Sequence, residues 1–339
     1  MKRMTMTSGS AEQPPAPRVR TVACVSGVSL ERGVPTEEIH DYIKEPSNLV
    51  WLDVQDPGPA ELSMLMEEFG FHPVALDDVA KEQQRPKVDE YKGYLFAVTY
   101  CVAAGSDLKD IKTAEVDLFI GRNYVVTIHR GGIPALEDAL GRWTRGGPML
   151  REGVGFLVYT VMDALIDTYF PVIDAIEDEI EEIELELFGP FRGRGVQDLL
   201  KLKRTLVVLR RVLYPLRETF HVFLRPDRTH FSGAMLVYFQ DLHSHILRIV
   251  DVLDMERDMT AGALEAYLTV VSNRLNETMK KLAVLTVAVA VLSAVFGAWG
   301  MNFAVIPLAN APWGFAIVLL GTFAIIGVLG LVAWQRGWM

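Results

Sequence analysis

Between residue 20 and about residue 133, short apolar and β-branched runs alternate with turn residues, at 21–28, 49–54, 94–102, 114–120 and 124–129. Runs of this length bounded by Gly, Pro, Asn and Asp predict strands, and the stretches between them carry helical spacing. Residues 20–153 are therefore expected to form an α/β domain. From about Val154 the spacing turns wholly helical, so 154–231 predicts a set of helices. Within it, nearly every position of 174–186 that is not apolar is Asp or Glu. Such a segment reads first as a solvated helix face and second as a surface that attracts cations. No proline occurs between Pro226 and Pro307, and from about Ser232 apolar residues recur at helical spacing through Met279 and beyond. One continuous helix of about 65 residues is predicted, about 100 Å long at ~1.5 Å per residue. A membrane core is only about 30 Å thick, so 232–281 is expected to be a stalk outside it.

The polar half of the pattern stops at Leu282. From there to Gln335 the chain contains no Asp, Glu, Lys, Arg or His, although charged residues make up 22% of the whole. Two apolar runs, 282–299 and 313–334, are each near the ~20 residues a spanning helix needs. The predicted layout is a first span over 282–302, a loop over 303–312, a second span over 313–335 and a tail over 336–339. Lys280 and Lys281 precede the first span and Arg336 follows the second, whereas the loop has no basic residue. That bias predicts a multi-pass protein of the cytoplasmic (inner) membrane with both termini cytoplasmic. Trp299 and Trp313 at one boundary, and Trp334 and Trp338 at the other, stand where interfacial aromatics belong. At the other end, Met1-Lys2-Arg3 is followed by polar residues and by Pro14, Pro15 and Pro17, without the apolar run of a signal peptide. Residues 1–19 are expected to be a disordered arm.

Charge narrows the function classes. All the acidic residues behind the net charge of −10 lie before Leu282. That charge argues against a nucleic-acid partner, which requires a basic patch. Cys24 and Cys101 lie far apart and predict reduced core residues rather than a disulfide or a zinc knuckle. No Gly-rich phosphate loop, nucleophile elbow or His-Glu-x-x-His occurs, so the chain is not expected to be an enzyme. His243 and His245 stand two apart on a helix, point to different faces and so predict no chelating pair. His221 and His230 flank the turn expected at Arg225-Pro226-Asp227 and read as surface or packing residues.

One hairpin encloses no pore, so a transport role requires copies of the chain around an axis, together with the lipid bilayer as a partner. At ~3.6 residues per turn, Asn276, Met279, Ala283, Thr286, Ala290, Ser293 and Gly297 fall on one stripe, with Leu282 at its edge. The stripe holds both hydroxyl residues and the glycine of the first apolar run, with two of its alanines, and predicts its pore-lining face. Small and hydroxyl residues also pack membrane helices against each other, but Asn276 favours the pore.

Directly after the first span comes Gly300-Met301-Asn302-Phe303. A Gly-Met-Asn at the outer end of the penultimate span, behind a large N-terminal domain, resembles the CorA magnesium channel family. The resemblance extends through His72-Pro73 with Asp77-Asp78, Gln84-Arg85-Pro86-Lys87-Val88, Tyr214-Pro215-Leu216-Arg217-Glu218, and Ser272-Asn273 with Asn276. It implies an α+β cytoplasmic domain, an α/β part followed by long helices, and then a two-helix transmembrane hairpin whose first helix continues the stalk. It also implies a homopentamer with an outer filter of Gly300, Met301 and Asn302. Mg²⁺ releases its water reluctantly, and a ring of amides and carbonyls can hydrogen-bond the hydrated ion. Mg²⁺ is thus the expected transported and regulatory ion, with Co²⁺ and Ni²⁺ as further cargo. The matching regulatory carboxylates are Asp78 and Asp241, with Asp77 beside them, meeting between neighbouring subunits. One departure concerns the loop: where magnesium members carry Met-Pro-Glu-Leu, this chain reads Val305-Ile306-Pro307-Leu308. The uncharged loop and Pro312-Trp313-Gly314-Phe315 also resemble the ZntB zinc-transporting branch, which implies Zn²⁺ and proton coupling as an alternative. A membrane-anchored sensor or scaffold without transport is the third reading.

Overall fold

The computed structural model describes residues 18–81, 83–103, 108, 111–188, 195–225, 231–301, 308 and 311–338. Most of the expected arm lies outside them; its last residue, Val19, opens the first strand. The chain divides into two compact units, one of residues 1–186 with 192–261 and one of residues 187–191 with 262–339.

The first unit is built on seven strands: β1 Val19–Val25, β2 Ser29–Arg32, β3 Leu49–Gln55, β4 Lys87–Tyr91, β5 Tyr94–Val102, β6 Thr113–Ile120 and β7 Tyr124–His129. Their order is β2-β1-β3-β7-β6-β5-β4. Only β3 and β7 run parallel; the other neighbours are antiparallel. The run expected as one strand over 21–28 is a strand plus its turn. Ser26 and Gly27 both have positive φ, 53° and 68°, and fold the chain back so that Val25 faces Ser29. Positive φ at both central residues is what a tight hairpin of this twist needs. The sequence pattern also misses β4, which is short, mostly polar and at the sheet edge, where charge protects an open strand from wrong pairing.

Nine α-helices and two short 3-10 helices, Thr36–Glu38 and Gly147–Glu152, complete the described residues; the α-helices are α1 Ile39–Lys44, α2 Pro59–Phe69, α3 Pro73–Lys81, α4 Pro134–Thr144, α5 Val154–Asp167, α6 Phe170–Phe188, α7 Gly195–Phe220, α8 Met235–Trp299 and α9 Gly314–Gln335. Aromatic packing ties the helices to the sheet. Phe71 stacks on Phe119 at 4.0 Å, and Trp143 of α4 meets Trp51 of β3 edge-on at 5.9 Å. Each such side chain contributes about 1.5–3 kcal/mol by burial. Ile173, Ile176, Ile180 and Ile183 of α6 are buried while Asp174, Glu177 and Asp178 are exposed, which is the solvated acidic face.

Helix α8 runs for 65 residues without interruption, close to the expected extent, and joins the stalk to the first span. By length and composition three stretches could cross a membrane: 154–183, α8 and α9. They differ in burial. The apolar window of the first is 61% buried in its own unit, against 0% for α8 and 6% for α9. The first is therefore core, and the other two carry the membrane character. This is the α+β domain with a long helix and an apolar C-terminal pair that the sequence predicts.

Candidate cation pathway and regulatory carboxylates

Within the second unit, α8 and α9 share a narrow seam. Along α8, Val284, Ala288, Val291 and Val295 lose exposure, and along α9 so do Val318, Thr322, Ile326, Gly330 and Ala333. Both sets recur at helical spacing, one stripe on each helix. Ala283, Val284 and Val287 border a cavity of about 180 Å³ with Leu329, Val332 and Ala333, so the two helices run antiparallel. Gly314 makes the return possible: a Cβ there would lie 1.9 Å from the carbonyl oxygen of Leu308. Any other residue would push the loop off the start of α9.

The candidate pore stripe lies roughly opposite that seam. Asn276, Met279, Leu282, Ala283, Thr286, Ala290, Ser293 and Gly297 are all exposed. Ala283 stands at the stripe's edge, beside the cavity. The Thr286 hydroxyl donates to the carbonyl of Leu282 at 2.8 Å, which covers its hydrogen and leaves its lone pairs outward. At the end of α8 the Gly300 N–H donates to Phe296 O at 2.9 Å, and Met301 is exposed. A Cβ on Gly300 would sit 3.3 Å from that same carbonyl, a tight fit that favours glycine where the helix stops. Asn302 lies outside the described residues.

The three regulatory candidates belong to the first unit, and two of them are already engaged. Asp78 of α3 accepts from Lys87 of β4 at 2.7 Å, and Lys87 also reaches Asp89 at 2.6 Å. Asp77 pairs with Lys81 one turn on, at the surface. Asp241 of α8 is exposed, 3.8 Å from the ring of His245. Within one chain, Asp78 and Asp241 thus have different neighbours.

Two features beside these residues escape a sequence reading. Arg142 of α4 bridges Asp163 and Asp167 of α5, at 2.6 and 3.0 Å. Burial first, then Asp167, raises the pKa of Asp163 despite Arg142, and Asp241 adds to the rise. The second is Asp117, buried on β6. Burial pushes its carboxyl well above the usual range, Glu115 and Asp78 push it further, and Lys87 and Arg130 oppose. The period-2 alternation of β6 puts Glu115, Asp117 and Phe119 on one face, so an acidic residue in an apolar strand was the available signal. No group of three or more His, Cys, Asp or Glu side chains among the described residues is arranged to hold a metal ion.

Residues 46–335 match the family described as CorA-like Mg²⁺ transporter protein. The chain belongs to this family. A curated relative from Bacillus subtilis, a putative metal ion transporter, is 32% identical over 85% of this chain and 89% of its own length. The cobalt/magnesium transport protein CorA of Thermotoga maritima is 31% identical over 85% of this chain and 82% of that one. Among solved structures, the CorA magnesium transporter of Methanocaldococcus jannaschii superposes with a TM-score of 0.79 over 94% of this chain and 98% of that one, at 24% identity. This last likeness concerns the fold: an N-terminal α/β domain, a long helix and an apolar C-terminal pair. The CorA-like family is one of transporters rather than enzymes.

Proposed function

We propose that this chain is the subunit of a CorA-type divalent-cation channel, which passes hydrated Mg²⁺ through a homopentameric pore lined by α8. The observation that carries this reading is the exposed polar stripe of α8, turned away from the hairpin seam. An anchor would present only apolar side chains there. Copies arranged about an axis bring Asn276, Thr286 and Ser293 to a common water-filled path, with Gly300, Met301 and Asn302 as the filter at its mouth. Lys280, Lys281 and Arg336, flanking an uncharged loop, favour cytoplasmic termini. Relatives named as cobalt/magnesium transport proteins favour Mg²⁺ and Co²⁺ as cargo.

Gating follows from the carboxylates. A divalent cation between Asp78 of one copy and Asp241 of its neighbour attracts both carboxylates and so favours the closed arrangement, and its loss removes that attraction. Lys87 already neutralises Asp78, so a regulatory ion has to displace it. Asp241→Asn is expected to weaken inhibition by internal Mg²⁺; unchanged inhibition in it and in the double variant with Asp78 would refute the site.

The deciding experiment is flux into liposomes with Mg²⁺, Co²⁺ and Zn²⁺, at clamped voltage and with or without a proton gradient. Inward movement of a doubly charged ion gains about 4.6 kcal/mol per 100 mV, inside negative, so uptake should follow voltage. Asn302→Ala should leave an oligomer of normal size with no flux, and an active variant would sink the filter assignment. The uncharged sequence Val305-Ile306-Pro307-Leu308 favours a second reading, a ZntB-like Zn²⁺ transporter. Uptake that tracks the proton gradient at fixed voltage would select it.

A further inference from the structure

Two sequence motifs, of which the transport reading uses only Lys87, meet in the first unit. Gln84-Arg85-Pro86-Lys87-Val88 leads into β4, and Tyr214-Pro215-Leu216-Arg217-Glu218 lies near the end of α7. Gln84, Arg85 and Pro86 line a cavity of about 250 Å³ with Tyr100, Val208 and Arg211. Arg85, Pro86 and Arg211 continue into a wider groove of about 560 Å³ with Arg210, Tyr214 and Pro215. Small-molecule sites typically occupy about 300–1,000 Å³.

The chemistry of this groove is cationic, in a chain whose net charge is −10. Arg20, Arg142, Arg217 and Arg257 each hold a carboxylate. Among the described residues, no carboxylate pairs with Arg85, Arg210 or Arg211. Glu218 also lines the groove, but Arg217 engages it at 2.8 Å. Both walls are held in place. Arg210 lies over the Tyr214 ring at 4.6 Å, Arg217 lies over the same ring at 5.2 Å, and the Tyr214 hydroxyl donates to Asp254. Opposite, the Tyr100 hydroxyl stands 2.5 Å from Gln84 O and 2.6 Å from Glu115, which fixes the segment that carries Arg85.

We propose that this groove binds a phosphate-bearing anion, with Arg85, Arg210 and Arg211 as its ligating groups. Guanidinium forks match phosphate oxygens two at a time, and three of them on fixed walls match a chain of phosphates. Val208, Val212 and Pro86 supply an apolar lining that strengthens the charge interaction. The charged groups of the groove other than Glu218 are all cations, which no carboxylate among the described residues engages, beside the neutral Gln83, Gln84 and Thr113, so the phosphate chain is the part recognised. Inorganic pyrophosphate and a nucleoside triphosphate share that chemistry.

The test is calorimetric binding to the purified full-length chain in detergent, without divalent cations, with pyrophosphate, ATP and AMP as probes. The readout does not depend on transport. Pyrophosphate and ATP should bind, more weakly as salt rises, and AMP less well. ATP tighter than pyrophosphate would identify a nucleotide as the natural class; equal affinities would identify the bare phosphate chain. Arg85→Ala and Arg211→Ala should each weaken binding about tenfold or more, the usual effect of removing a charged hydrogen-bond donor. Arg204→Ala, exposed on α7 outside the groove, should bind as the parent does. No binding of either polyphosphate, or equal loss in Arg204→Ala, would overturn the proposal. So would loss of oligomer size in the groove variants with phosphate binding unchanged, since the groove would then receive carboxylates of a second copy.

Discussion

The two units treat the same residue types in opposite ways. In the sheet-bearing unit Phe96, Phe119 and Trp143 are wholly buried, whereas on α9 Leu320 and Phe323 are 69% and 57% exposed. The first unit satisfies its apolar residues within one chain. The second buries a single seam and leaves the rest of both helices bare, an amount of apolar surface that water does not tolerate on a lone protein. Lipid would cover the apolar sides of the hairpin, and in the proposed channel further copies of the chain would meet the polar stripe of α8. Stability in the first unit is thus a property of the chain, and in the second a property of its surroundings.

The sharpest way to break this contrast is to cut into each unit in turn. Trp143→Ala removes a wholly buried indole packed on Trp51 and should destabilise the first unit by about 3–5 kcal/mol, read from denaturant unfolding. A loss below about 1 kcal/mol would mean that this core is not what holds the unit. Next, Phe323→Arg puts a charge on the exposed side of α9. At the centre of a span that costs about 2.5–3.5 kcal/mol, so the membrane-inserted fraction should fall while the first unit unfolds as before. Normal insertion would place that side of α9 against water or protein instead.

A smaller effect depends on pH. Burial first, with help from Glu115 and Asp78, keeps the Asp117 carboxyl protonated well above its ordinary range. The folded state therefore binds a proton that the unfolded state releases near pH 3.9. The stability this gives is complete below that value and is lost as pH rises from there through the raised pKa. Asp117→Asn should flatten the fall in thermal stability as pH rises above the ordinary carboxylate range, and an unaltered profile would show that another group is responsible. The smallest effect belongs to the exposed pair of Lys81 and Asp77, where Lys81→Ala should leave the thermal stability of the first unit nearly unchanged. A larger loss would mark Asp77 as part of a tighter network.

Much of this protein is written in local pattern. The strands at 94–102 and 124–129 match the observed bounds, and the uninterrupted α8 falls within a few residues of its expected start and end. These elements are legible because burial imposes a period of two or of 3.6 on contiguous residues. The ends of β1 and the whole of β4 were not legible, since turn geometry and sheet edges depend on a partner strand.

The candidate residues divide in the same way. The chain alone determines the uncharged tail, the stripe from Asn276 to Gly297 and the position of Gly300-Met301-Asn302, because helix geometry converts spacing directly into a face. Only the tertiary structure decides that the stripe turns away from α9, that Lys87 occupies Asp78, and that Arg85 meets Arg210 and Arg211 across a groove. Those outcomes join residues far apart along the chain, and a sequence carries no local signal for a contact made only when separate elements pack.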